Sequence, residues 1–336
     1  MTKSTAISRL LGRVIGRREA SRDIFAMMAA SAVLPPGLAR VATVTRARAN
    51  DDLDENWRTA ESDKNRDLGA RRKRIAKDRL EKEVPPDPKF APFLGEKTTY
   101  DVSFLWTFNA AKVTVTFQQG SGDEYITEMD ARTTGVVEWA TNLKRQFVKS
   151  RLVMKDDGGV KRLICTHMTR ISEKGGTTTK SISSYHYDKG KRFYRRMENG
   201  ELKKQRVYKM PKNVYYQDFV GFWYNLRAGM FGKIEKGQDY KIRTIPYKGI
   251  DEYTIHVATT EEMAEEKGWL RDNPDAVYMG TVKLHEKVFG IKAREGKMLT
   301  DKDFFPMAGK INDVVAYGDV HSKLTSRSKT SPRTSS

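Results

Sequence analysis

A chain of 336 residues, 38% of them hydrophobic, can bury one large core or two small ones. A single cysteine, Cys165, excludes an intramolecular disulfide and a multi-cysteine zinc site. The net charge of +19 favours polyanionic partners without choosing among nucleic acid, anionic lipid and acidic polysaccharide.

Residues 1–49 form a basic leader around IFAMMAASAVL (24–34), an uncharged run ended by Pro35-Pro36. A bilayer span needs about 20 apolar residues, so this run fits the core of a signal peptide instead. Ala47-Arg48-Ala49 meets the small-x-small rule for cleavage before Asn50, and Arg17-Arg18 loosely resembles a twin-arginine signal. The chain is therefore expected to be exported, periplasmic or envelope-associated. An uncleaved amphipathic anchor and a mitochondrial transit peptide are the alternatives.

Residues 50–90 are a charged connector. Arg74–Asp78 and Arg79–Glu83 are opposite charges four apart, which predicts a solvated helix over roughly 70–83, ended by Pro85-Pro86. Within it, RRKRIAKDR (71–79) reads as one exposed helix face; a polyanion patch is the sharper alternative.

The body, 91–325, is written in period two. Tyr100, Val102, Phe104, Trp106 and Phe108 share one face, and Ala111, Val113, Val115 and Phe117 share the next. Strands are predicted at 124–133, 145–155, 161–172, 177–187, 191–197, 201–209, 239–246, 251–258, 277–288 and 310–324. Turn clusters separate many of them, and Asn199-Gly200 is the clearest hairpin signal. Short strands with few helices predict a mainly β fold: one antiparallel sheet, strongly curved or closed into a barrel-like meander. VVEWATNL (136–143) and QDFVGFWYNLRAGMF (217–231) break the pattern as helices. In the second, Phe219, Phe222, Trp223, Leu226 and Met230 make one apolar stripe. It reads as a plug for the core or as a lid over an apolar ligand groove. Residues 258–278 read as a helical surface excursion, and 326–336 as a disordered basic tail.

No reaction is legible. His167, His186, His256, His285 and His321 show no metal-ligand spacing, although His167 and His186 could meet across neighbouring strands. GGTTTKS (175–181) lacks the glycine and following helix of a phosphate loop, and there is no G-x-S-x-G elbow; the paired carboxylates Asp301/Asp303 read equally as turn residues, and nothing places a substrate near them. Cys165, in a strand-like run, reads as a buried inert thiol. Charged strands such as KRFYRRM disfavour a transmembrane barrel.

Five blocks in order resemble the bacterial family called domain of unknown function 3108. They are FLGEKTTYDVSFLW with AAKVTVTF; ARTTGVVEWATNLKRQFVKSRL; YYQDFVGFWYNLR; EKGQDYKIRTI; and MLTDKDFFPM with VVAYGDVHSKL. Thr98 stands where the family's opening GE-x-L-x-Y-x-V pattern has leucine. The resemblance spans about 91–325. It implies an exported or envelope-associated, mainly β protein, and it carries over no catalytic residue.

Two binding modes follow as expectations, neither with a cofactor or metal. In the first, a non-catalytic envelope protein holds a lipid-like amphiphile or an envelope partner in a concave β face. Phe219, Phe222, Trp223 and Leu226 would then face Phe104, Trp106 and Val115. In the second, Lys144, Arg145, Lys191, Arg192, Arg195, Arg196, Lys203 and Lys204 bind an anionic polymer in a salt-dependent manner. Envelope polysaccharide is the favoured polymer and nucleic acid the weaker one; contact with a membrane surface is a further expectation.

Overall fold

The computed structural model describes residues 85–104, 108–135, 138, 142–247, 250–284, 295–314 and 318–330. The leader, the predicted connector helix, most of the predicted 136–143 helix, and Trp106 lie outside these residues.

Fourteen strands among them form one antiparallel sheet. They are β1 (Glu96–Phe104), β2 (Phe108–Gln119), β3 (Glu124–Thr133), β4 (Leu143–Asp156), β5 (Lys161–Lys174), β6 (Thr177–His186) and β7 (Lys191–Glu198), followed by β8 (Glu201–Lys209), β9 (Asp239–Tyr247), β10 (Ile250–Val257), β11 (Tyr278–Lys283), β12 (Glu295–Thr300), β13 (Pro306–Val314) and β14 (Gly318–Lys329). The order is β8-β7-β6-β5-β4-β3-β2-β1-β14-β13-β12-β11-β10-β9. Two meanders are thus joined where the first strand meets the last. The alternation read from sequence holds: Val102, Val113 and Phe117 are fully buried, while Lys112 and Gln118 are exposed.

The expectation of a mainly β, strongly curved sheet stands, with local corrections. The run 310–324 is two strands rather than one, and β12 was not anticipated. EGKMLT is only six residues long and contains Gly296, so its alternation is faint. Ser326–Lys329, expected in a disordered tail, continue β14 and pair with Thr99–Glu96. Phe90, assigned to the connector, is fully buried and packs on Phe117 and Tyr125.

The long helix, α1 (Phe219–Arg227), is shorter than its apolar stripe predicts. Asp218 caps its start, with Oδ1 accepting from the Gly221 N–H at 3.3 Å. Gly229, at φ 71, follows its end. The helix lies inside the curl of the sheet and is buried on both sides. Val220 and Tyr224 join the core built on β1–β5, whereas Phe222, Trp223 and Leu226 join Ile242, Ile255 and Met298 of β9, β10 and β12.

The sheet does not close on itself; the residues leading into α1 span the gap. Cys165 of β5 donates its N–H to the Tyr216 carbonyl, and Gln217 donates its own to the Arg243 carbonyl of β9, both at 3.1 Å. β6 pairs only with His167–Lys174 of β5. The hairpin β7–β8 therefore continues outward as a flange, and β8 is a free edge.

The excursion at 258–278 does contain helices, α2 (Thr260–Ala264) and α3 (Lys267–Arg271). Met263 and Trp269 pack against Met279, Leu299 and Ala308. Leu299 is adjacent to Met298, which faces α1, so this small cluster covers the outer face of the sheet.

Candidate functional site

Of the residues expected to line an apolar groove, Phe222, Trp223 and Leu226 are buried within the core. Phe219 is half-buried and stacks edge-on against Trp223 at 6.0 Å. Val115 does reach the helix, where it lines a cavity of about 30 Å³ with Val220, Trp223 and Tyr224. That volume matches one water molecule and is far below what an acyl chain needs. Phe104 lies at the end of β1, its side chain outside the description.

The same cavity borders an ion cluster that the sequence reading did not single out. Arg227, the last residue of α1, donates to both Glu96 oxygens at 2.6 and 2.9 Å. Tyr224 donates to Oε1 at 3.2 Å and Arg327 of β14 to Oε2 at 3.3 Å. Phe93 and Phe305 sit against the Arg227 guanidinium at 4.4 and 5.1 Å, and Arg327 stacks on Phe305 at 3.8 Å. Burial opposes the Glu96 charge, but the Arg227 and Arg327 guanidiniums outweigh it and hold the carboxyl below its ordinary range. Burial, reinforced by the Glu96 charge, pushes the Tyr224 phenol far up, so it stays a donor.

Three separated stretches meet here. Glu96 is delivered by Gly95, whose φ of +79° and close approach to the Thr330 carbonyl admit no side chain; a Cβ there would lie 2.0 Å from that oxygen. Phe305 is delivered by a turn in which Asp301 Oδ1 accepts from the Asp303 and Phe305 N–H groups at 2.8 and 2.9 Å. Next to it, Phe304 holds the left-handed backbone at φ 54, and Tyr278 stacks on it at 4.3 Å. Asp301 and Asp303 thus sit in a turn. One sequence signal was available: Glu96 has the parity of Tyr100 and Val102, so it had to point inward.

A second buried polar set ties α1 to β5. Asn225 is fully buried. Its Oδ1 accepts from the Leu163 N–H at 2.8 Å, and its Nδ2 donates to the Leu163 carbonyl at 2.9 Å and to Gln217 Oε1 at 2.8 Å. The amide thus acts as a strand partner for the part of β5 that β6 leaves uncovered. Asp218, also buried, accepts from Thr127 Oγ1 at 3.4 Å. Burial pushes its carboxyl up to about 6, against the pull of its backbone and hydroxyl donors.

The predicted cationic residues divide. Lys144 and Arg145 lie at the start of β4, and Arg145 is neutralised by Asp130 at 2.6 Å and Glu173 at 3.5 Å. The other six stand together on β7–β8. Arg196 pairs with Glu198, and Lys203 with Glu201. Among the described residues, no carboxylate lies within ion-pair distance of Lys191, Arg192, Arg195 or Lys204.

Register builds the flange's inner face as a checkerboard. Arg192 lies opposite Tyr208, Tyr194 opposite Arg206, and Arg196 opposite Lys204. Arg192 donates to Ser183 Oγ and sits 5.5–5.6 Å from the rings of Tyr185, Tyr194 and Tyr208. Burial, with Arg206 and Arg196 adding repulsion, lowers the Lys204 ammonium below its ordinary range. Arg206 was missed in the sequence reading because its place opposite Tyr194 depends on a bulge between Arg196 and Met197.

The remaining candidates stay apart or are structural. Ser184, not His186, lies opposite His167 and meets its Nδ1 at 2.9 Å. Cys165 is a fully buried free thiol whose pKa burial raises. Among the described residues no three His, Cys, Asp or Glu side chains are grouped to hold a metal ion, and no helix is long and apolar enough to cross a membrane.

The family model described as "Protein of unknown function (DUF3108)" matches residues 99–292. No curated protein matches the chain. Among solved structures, a β-barrel-like protein of domain of unknown function DUF1849 from Brucella abortus aligns at 10% identity with a TM-score of 0.38. That alignment covers 71% of this chain and 98% of the other.

Proposed function

The chain belongs to the DUF3108 family, and we propose that it is a non-catalytic, exported and envelope-associated binding protein whose β6–β8 flange holds an anionic polymer. One observation carries this reading. Arg192, Arg196, Lys204 and Arg206 are gathered with Tyr194 and Tyr208 on a single face, with only Arg196 paired to a carboxylate. Like charges opposite one another cost stability, and a bound polyanion relieves that cost. Guanidinium forks and stacked phenol rings suit sulfate, phosphate or uronate groups along a chain. Envelope polysaccharide fits the expected address. The leader pattern supports export.

The test is retention of the full chain on heparin across a salt series. The logarithm of the binding constant should fall linearly with the logarithm of salt concentration, and Lys204→Gln/Arg206→Gln should lower that slope by about one per cation removed. Salt-independent retention, or an unchanged slope in the variant, overturns the proposal. An amphiphile in the concave face is the competing mode and requires α1 to leave its seat. A native mass spectrum carrying an extractable lipid mass would favour it.

A further inference from the structure

We propose that the outer face of the β7–β8 hairpin is a docking surface for an anionic lipid bilayer. This goes beyond polymer binding, because it uses the opposite side of the same two strands. Six large hydrophobic residues are exposed among the described ones, and Phe193, Leu202, Val207 and Tyr208 all belong to this hairpin. Phe193 lies opposite Val207, and Met197 opposite Leu202, so three of the four share the outer face. Leu202 and Val207 are 57% and 56% exposed, which is unusual for such side chains unless a partner covers them.

The surroundings select the partner. Lys191, Arg195 and Lys209 stand on the same face as Phe193 and Val207. Lys180 of β6, opposite Met197, extends the set. Both acids of the hairpin, Glu198 and Glu201, pair with each other one position away and so fall on the inner face. On the hairpin's own outer face the apolar patch is flanked by cations and carries no carboxylate, the nearest on that face being Glu173 of β5, which Arg145 pairs. This matches a bilayer interface, where apolar side chains enter the acyl boundary and Lys and Arg meet anionic head groups. The turn Glu198–Glu201 carries negative charge at the tip, so the hairpin lies flat on the surface and does not enter tip-first. A second copy added to the free edge is disfavoured, because Lys203, Lys204, Arg206 and Lys209 crowd β8 with like charge.

The experiment is co-sedimentation of the full chain with vesicles of phosphatidylcholine alone and of phosphatidylcholine mixed with phosphatidylglycerol. Wild type should pellet with the mixed vesicles only. Phe193→Ser/Leu202→Ser/Val207→Ser should lose about tenfold or more in partition, as expected for removing three membrane-facing apolar side chains, while keeping its heparin retention. Leu202→Ser alone, at the most exposed of these positions, should lose part of the partition with an unchanged thermal melt. Lys204→Gln/Arg206→Gln, on the inner face, should keep vesicle partition within about twofold while losing heparin retention. Absence of wild-type binding to mixed vesicles overturns the docking surface. So does equal binding by the triple variant, or equal loss by the inner-face and outer-face variants, which would reduce the effect to unspecific charge attraction. Failure of heparin binding alone overturns only the polymer reading.

Discussion

Arg227 and Arg206 bring the same guanidinium into opposite circumstances. Arg227 is 3% exposed, bidentate to Glu96, and flanked by aromatic rings. Arg206 is exposed, with other cations as its charged neighbours on the inner face of the flange. In the body of the fold, charge is buried and matched, so it specifies how α1 and the ends of β1 and β14 meet. On the flange, Arg206 and its neighbours Arg192 and Lys204 have no carboxylate within ion-pair distance among the described residues. Matched charge serves architecture, and unmatched charge is available to a partner.

The contrast can be broken most forcefully from the inside. Arg227→Met leaves the Glu96 carboxylate buried without its main partner, and should cost about 3–5 kcal/mol in denaturant unfolding. Glu96→Leu/Arg227→Met should recover most of that loss. A single variant costing under about 1 kcal/mol would mean that the cluster is solvated and not structural. Asn225→Leu should come next, at about 2–4 kcal/mol, since it strips the Leu163 N–H and carbonyl of their partner. Hydrogen exchange at Leu163 would rise with it.

Asp218 gives a smaller effect, and one with a sign. Its folded pKa, about 6, lies above that of an unfolded aspartate, so the native state holds the extra proton between roughly pH 4 and 6. Stability from this group therefore falls as pH rises through that window, by on the order of 2–3 kcal/mol. Asp218→Asn keeps a good helix cap and should flatten that slope. Glu96 acts in the opposite sense: its lowered pKa stabilises the fold above the ordinary carboxylate range, and that stability is lost as pH falls through the folded pKa. At the small end, Lys204→Gln/Arg206→Gln should leave stability within about 0.5 kcal/mol of wild type.

Strand alternation was legible in β1–β3 because each has one buried face, whereas β7 and β8, with no fully buried residue, were legible from the Asn199-Gly200 turn between them. The helix was legible from its stripe, yet the stripe told only half. Val220 and Tyr224 on the opposite side are buried too, and apolar periodicity cannot show that a helix is enclosed. The polar keys escaped because their meaning is tertiary. Asn225 looks like an ordinary polar residue until β5 is seen to need a partner at Leu163, and Glu96 until Arg227 arrives from 131 residues away. The cationic cluster was visible as a local density of Lys and Arg, but not its division into a tyrosine-lined face and an apolar one. That division follows from register and from one bulge.

The pairing of β1 with β14 sets a timetable for synthesis. Glu96 faces Lys329 across the ladder, so the sheet's central seam joins the first strand to the last. A nascent chain can build the β2–β8 meander early, since those contacts are local, but β1 keeps an open edge until the final strand has left the ribosome. A chain stopped before Gly318 would expose β1 and β13 together, two adjacent unpaired edges in the middle of the sheet, and should aggregate rather than fold. The last dozen residues of the described fold thus decide when the whole molecule becomes a single cooperative unit.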